Sequence, residues 1–471
     1  MQIFVRDKKF YRTLAAFALP IAAQQLITVG VNMADNIMLG QLGESPMSGA
    51  TLANNFITIF QIMCMGLGMG ASVLVSRFFG MKQQKSMKKS VNIMFRLLFI
   101  IATAFAFATV LFPSGIMSIF TNEEEVIRQG TGYLLVSIPC YYLNGFALTS
   151  SLVLRSVGKA NIPLRASCCS FFINIFFNWV FIFGKLGAPA MGVRGAALGT
   201  LLARVVEFTV IFGFLIFKDI NIGLRPRDLT MSVSDLLPEY IRISIPVLIS
   251  DTLLGLGNSA VAVVMGHIGA TFVSANAITT VVMMLSTVVI QGISQASCTI
   301  TGITLGEGQI EKAQAQGYTF AALGFIIGGI GALIILLLSR VIVGAYNITD
   351  ETKELAISLM HALAFVIWFQ AANSILTKGT LRGGGDTKFL MVADIIFLWI
   401  FSIPLGALSG LVLHLPGFWT YILLRIDQFI KCAVCIWRLK SGKWIKKIST
   451  GKNSNVKMLT VGGEGSDQKA I

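Results

Sequence analysis

The sequence predicts an all-α polytopic membrane protein: twelve transmembrane helices in two parallel six-helix repeats. Three observations carry that prediction. Of 471 residues, 55% are hydrophobic and only 13% are charged, where a soluble domain carries about 25% charged residues; mean hydropathy is +0.77. Twelve apolar segments are long enough to cross a bilayer. The chain also repeats itself at a lag of 226 residues.

The segments fall at roughly 13–39, 49–76, 91–112, 131–154, 164–184, 195–217, 243–265, 272–302, 317–343, 355–377, 389–413 and 416–437. At about 1.5 Å of rise per residue, each spans about 30 Å of hydrocarbon. The apolar–polar alternation of a membrane barrel is absent, which leaves helices as the viable spans. Met1–Arg12 is basic, and the apolar run behind it lacks a small-x-small cleavage site, so it reads as an uncleaved first helix. That helix carries Pro20 early and Asp35 late. The second is glycine-rich (Gly66, Gly68, Gly70). The fifth carries Asn174 and Asn178, the sixth Thr200, Arg204 and Glu207. The seventh carries Pro246 and Asp251, the eleventh Asp394, and the twelfth Asp427 and Lys431.

The repeat is read from residues that a backbone geometry needs. Pro20 matches Pro246, and Asn32 matches Asn258. Gly40 and Gly43 match Gly266 and Gly269, and Ser48, Gly66 and Gly80 match Ser274, Gly292 and Gly306. One residue later in phase, Leu154-Arg155-x-x-Gly158 matches Leu381-Arg382-x-x-Gly385. The organisation expected is a six-helix lobe over 1–221, a second over 222–447, and a disordered cytoplasmic tail over 448–471. An even number of spans per copy makes both copies run the same way, an architecture in which transporters bind substrate between the halves. Lys218–Arg242 reads as the interlobe linker. Lys440–Lys447, with Trp444 and Ile445, reads as a basic segment lying on anionic lipid.

The net charge of +15 is distributed by topology, not by affinity for nucleic acid. With the N-terminus in the cytoplasm, 28 of the 37 Lys and Arg fall on cytoplasmic connections and tails, five on the opposite side and four inside spans. Both termini are therefore expected in the cytoplasm. The seven cysteines all lie in predicted spans, and Cys432-x-x-Cys435 reads as two small core residues, not a metal or redox pair. The three histidines have no metal-ligand spacing.

Only five of the 22 Asp and Glu fall inside spans: Asp35, Glu207, Asp251, Asp394 and Asp427. Arg204 sits three residues before Glu207 and Lys431 four after Asp427, spacings that place each pair on one helix face; both read as structural intramembrane pairs. Asp394 fits either role. Asp35 and Asp251 have no basic residue within four positions and stand as the candidates for loading a cation or proton. A carboxylate within a span is expensive and needs a partner, a cavity or a task. Asn174 and Asn178 share a face at i,i+4, and with Thr200 they could complete an oxygen-lined pocket around Asp35 for a hard cation. The alternative is hydrogen-bonding glue between helices.

These residues resemble the multidrug and toxic compound extrusion (MATE) family over about residues 10–447. The resemblance rests on the first helix ending Asp35-Asn-Ile-Met-Leu-Gly-Gln-Leu-Gly, on Gly66-Leu-Gly-Met-Gly-Ala-Ser, on Met191-Gly-Val-Arg-Gly-Ala-Ala and on Leu381-Arg-Gly-Gly-Gly-Asp-Thr-Lys. It implies a V-shaped bundle in a bacterial inner membrane that exports organic cations or amphiphilic drugs by antiport with Na⁺ or H⁺, with no cofactor and no obligate protein partner. It places the coupling site at Asp35, Asn174, Asn178 and Thr200, with Asp251 as the seventh-helix acid, where Glu is commoner. Some members carry Asp where this chain has Asn178, so the site here is less negative.

The energetics suit an antiporter. Export against a hundredfold gradient costs about 2.8 kcal/mol, and one charge moving down 100 mV releases about 2.3 kcal/mol. No P-loop is present: the four Gly-Lys pairs are followed by Ala160, Leu186, Trp444 and Asn453, not Ser or Thr. No nucleophile–base or metal constellation marks an enzyme, and no pore loop or charged ring marks a channel. A flippase for lipid-linked sugars or lipids is the alternative; it would favour several basic residues inside the cleft to meet phosphate, and only Arg204, Arg425 and Lys431 qualify inside spans, each with an acid nearby.

Overall fold

The computed structural model describes residues 4–346 and 348–447. The stretch expected to form a disordered tail, 448–471, lies outside the described residues. Twelve spanning elements follow one another: α1 (Lys8–Gly40), α2 (Glu44–Gly80), α3 (Gln84–Leu111), α4 (Glu124–Val136 and Ile138–Ser156), α5 (Asn161–Phe183), α6 (Val193–Lys218), α7 (Leu237–Ile268), α8 (Ala270–Gly306), α9 (Ile310–Gly344), α10 (Asp350–Leu381), α11 (Thr387–Val412) and α12 (Gly417–Leu424 and Asp427–Lys440). Ten are single runs long and apolar enough to cross a membrane. The other two are broken. In α4 the break falls at Ser137, two residues before Pro139, whose ring removes a donor and crowds the preceding turn. There the Ser137 hydroxyl donates back to the Tyr133 carbonyl at 2.8 Å. In α12 the break falls between Leu424 and Asp427.

The seam between the repeats is two-fold in its chemistry. α2 packs on α7, and α1 packs on α8. Gly66 of α2 lies against Leu248 of α7: a Cβ there would stand 2.8 Å from the Leu248 Cβ. Its repeat mate Gly292 of α8 lies against Ala22 of α1, the mate of Leu248, at 3.0 Å. Farther along, a Cβ on Gly80 would come within 2.2 Å of the Ile303 carbonyl oxygen, and one on the matching Gly306 within 2.1 Å of the Arg77 carbonyl oxygen. Only glycine lets the backbones of α2 and α8 approach so closely. The matched glycines therefore build the contact between the halves.

Both ends of the described chain meet the first turns of α9, where Val5 N–H donates to Thr319 Oγ1 and Trp444 to Gln314. Three features correct the sequence reading. Trp444 is fully buried, not spread on a lipid surface. Its indole donates to Gln314 Oε1 at 2.8 Å and stacks where Gly384 leaves room. Arg77, counted among the connection charges, is 3% exposed and donates to the carbonyls of Lys446 and of Gly384, the latter at 2.6 Å. Arg155 and Arg382, also counted in connections, are buried as well. Each guanidinium carries up to five donors that must be satisfied; helix-end carbonyls serve those of Arg77, and side chains of other helices serve those of Arg155 and Arg382.

The linker before α7 lies along α3. Lys88 pairs with Asp228 at 2.8 Å and Lys89 with Asp235 at 2.6 Å, and Arg96 donates to the carbonyls of Leu229 and Met231.

Candidate functional site: the intramembrane polar groups

In the first half, three helices bring four predicted residues into one chain of hydrogen bonds. The Asn178 amide of α5 donates to Asp35 Oδ1 of α1 at 2.5 Å and lies 3.3 Å from Asn174 Oδ1, one turn earlier. The Asn174 amide reaches Thr200 Oγ1 of α6 at 3.3 Å. The direction of the first bond follows from chemistry, since an ionised carboxylate only accepts. Asn178 itself is fully buried, and its Oδ1 has no donor. It sits over Gly199, where a Cβ would come within 2.2 Å of it. Asp35 is half-buried, and among the described residues no Lys or Arg nitrogen lies within ion-pair distance of it. Arg204, whose charge is felt at Asp35, is engaged by Glu207. Tyr133 of α4, which sequence reasoning missed, brings its phenol into the field of Asp35 and donates to Asn54 at 3.3 Å.

Arg204 and Glu207 are in direct contact, as their spacing predicts. The pair does not stop there. The Ser167 hydroxyl donates to Glu207 at 3.0 Å, Gln24 donates to Ser167 at 2.9 Å, and Arg155 donates to Gln24 Oε1 at 2.5 Å and also to Gln295 of α8. A buried polar path thus runs from α6 to the second repeat.

The second half carries the same pattern with charges substituted in. At the 227-residue phase, Lys431 stands where the first half has Arg204, Asp394 where it has Ser167, and Asp427 where it has Thr200. The Gln24–Ser167 bond has its counterpart in Ser250 donating to Asp394. Lys431 is 2% exposed and is shared by Asp427 at 2.9 Å and Asp394 at 3.2 Å. Arg425, two residues before Asp427, donates to Asn258 at 3.0 Å.

Asp251 is the correction. The sequence reading took it as unpaired; in the structure Arg382 grips both its oxygens, at 3.1 and 3.4 Å. The partner comes from α10, 131 residues away. It is carried inward by the wide-turned stretch Ile375–Leu381 that prolongs the helix. Counting neighbours on one helix could not find it. Among the described residues, Asp35 alone of the two acids singled out stands without a cationic mate.

This fold has recognised relatives. The MatE family profile matches residues 20–180 and again 246–408, two copies whose starts differ by the internal lag. The chain is 27% identical over 444 residues to the "Probable multidrug resistance protein NorM" of Thermotoga maritima, covering 93% of each chain. It is 22% identical over 469 residues to the "Multidrug resistance protein MdtK" of Yersinia pseudotuberculosis, covering 93% of this chain and 96% of that one. It superimposes on the crystal structure of MATE in the straight conformation with a TM-score of 0.83 at 20% identity, over 92% of this chain and 96% of that one. A similar match, at a TM-score of 0.82, is the outward-facing conformation of a multidrug resistance MATE family transporter of the MOP superfamily. The doubled profile and near-complete coverage agree with the twelve-helix architecture: the chain is a membrane transporter of the MatE family.

Proposed function

We propose that this protein exports organic cations or amphiphilic drugs by antiport, and that the coupling Na⁺ or H⁺ is taken up at Asp35 with Asn174, Asn178 and Thr200 around it. The observation that carries the reading is the half-buried Asp35 carboxylate, with a neutral amide as its direct partner and no ion-paired base. A neutral partner leaves the carboxylate's charge to be met by something mobile. When a cation arrives, the Asn178 amide can turn and present its oxygen, and Asn174 and Thr200, next in the hydrogen-bonded chain, hold two more. A proton would do the same work by removing the charge. Either event changes what α1 can pack against beside α5, and α1 also lies on α8 of the other half. Asp251 takes the lesser part in this scheme, because Arg382 already neutralises it.

Both termini are assigned to the cytoplasm of a bacterial cell, from the distribution of Lys and Arg. The multidrug-resistance names of the relatives favour drug export over the lipid-linked-sugar flippase reading. The test uses everted vesicles loaded with a fluorescent organic cation. An imposed Na⁺ or pH gradient, but not both equally, should drive dye movement. Movement indifferent to either gradient would remove the proposal.

A further inference from the structure

The second half contains a cavity of about 140 Å³ between α7, α10, α11 and α12. Its walls hold more positive than negative charge: Lys378, Arg382, Arg425 and Lys431 against Asp394 and Asp427. The pairing does not use up these cations. Arg382 is spent on Asp251 just behind the wall, and Lys431 is shared between the two wall acids. Lys378 and Arg425 remain. Among the described residues, neither has a carboxylate oxygen within 4 Å in the structure's ion pairs.

Arg425 is under-satisfied: its Nη1 donates to Asn258, while its Nε is buried with no acceptor. Arg382 Nε and the Asn373 side-chain oxygen are likewise buried without partners. Lys378 is exposed although it lies within an otherwise buried stretch of α10, so its ammonium is reachable. It sits in the wide-turned run Ile375–Leu381; such turns recur where a helix gives up regular bonding to place a side chain. A buried guanidinium N–H without an acceptor is costly. A group with two or three anionic oxygens would supply what Arg425 and Lys378 lack.

We propose that Lys378 and Arg425 form an anion subsite for the transported molecule, so that the protein favours zwitterionic amphiphiles carrying a carboxylate over cations of the same skeleton. This deepens the efflux reading and rests on it. The first half offers an unpaired acid and the second half unpaired bases, so a substrate bearing both charges can address both. A net-anionic lipid headgroup could satisfy the same donors, and the vesicle composition separates the two.

The experiment uses the full chain, purified and reconstituted into phosphatidylcholine vesicles, which carry no net-anionic headgroup. The probes are rhodamine B, which has a free carboxylate, and its ethyl ester, which does not; binding is followed by fluorescence polarisation. Wild type should prefer the acid over the ester. In Lys378→Gln/Arg425→Gln that preference should fall by roughly tenfold or more, since even one lost hydrogen bond to a charged group is worth about tenfold. Lys378→Arg should keep it. Adding phosphatidylglycerol should leave the wild-type preference in place. An equal loss for both dyes, an unchanged ratio, or a preference that vanishes with phosphatidylglycerol would overturn the proposal. Failure of gradient-driven transport of the ester by wild type would instead strike the efflux reading, since the binding ratio does not depend on transport.

Discussion

The Asn178 amide donates to Asp35 at 2.5 Å, joining α5 to α1 through a neutral group. The acid of the second repeat's opening helix, Asp251, which matches Gln25 and not Asp35 at the repeat lag, is joined to the end of α10 through a full positive charge, Arg382. The repeats thus share a scaffold and differ in how they settle an intramembrane carboxylate. On the reading proposed above, that difference leaves one acid available and gives the other a structural part.

Removing one member of the Asp251–Arg382 pair should be worse than removing both. Arg382→Gln strands a largely buried carboxylate, and such a break costs about 3–5 kcal/mol. Asp251→Asn/Arg382→Gln should recover much of that. Thermal unfolding in detergent checks it; a double variant no more stable than Arg382→Gln would show that the pair is not what holds α7 to α10.

The two-fold seam predicts twin effects. Gly80→Ala and Gly306→Ala each push a methyl into a carbonyl oxygen of the opposite helix. Overpacking of that kind costs about 1–3 kcal/mol, and the two losses should agree within experimental error. Substitution at Gly331, which has nothing within 4 Å, should be tolerated.

Trp444 anchors the last described segment. Trp444→Ala should cost about 3–5 kcal/mol by the usual scale for truncating a buried aromatic. It should also expose residues 440–447 to protease before the bundle unfolds. Resistance equal to wild type would mean that the Arg77 contacts to Gly384 and Lys446 suffice.

The linker should loosen in acid. The Lys88 ammonium bonded to Asp228 holds its carboxyl below the ordinary value of 3.8. Lys89 does the same for Asp235. A carboxyl depressed in the folded state contributes its stability above the ordinary value and loses it as pH falls through the folded one. Hydrogen exchange of amides 225–235 should therefore be flat from neutral pH down to about 4, after correction for intrinsic rates, and should accelerate below that. Acceleration between pH 7 and 5 would point to another group.

Much of this was legible before any coordinates. Pro20 with Pro246 and Gly66 with Gly292 announced the repeat, because backbone demands leave marks in single residues. Asn174 and Asn178 were legible because four residues make one helical turn. Partners brought by other helices were not. Arg382 reaches Asp251, and Arg155 reaches Gln24 and Gln295, across more than a hundred residues. Hydropathy places these arginines and Arg77 in connections because it reads the charge but not the carbonyls, amides and carboxylate that other segments bring to it. Trp444 looked like an interfacial anchor for the same reason: its basic neighbours are visible in sequence, whereas the space above Gly384 is not.

The central claim is that Asp35 carries the coupling charge. Its most direct test is ion-gradient-driven accumulation of a fluorescent cation in proteoliposomes of wild type and Asp35→Asn, with Asp251→Asn alongside and folding checked by thermal unfolding. The account predicts that Asp35→Asn stays folded and loses gradient-driven accumulation, while Asp251→Asn loses stability first. Undiminished, gradient-dependent accumulation by folded Asp35→Asn would contradict it.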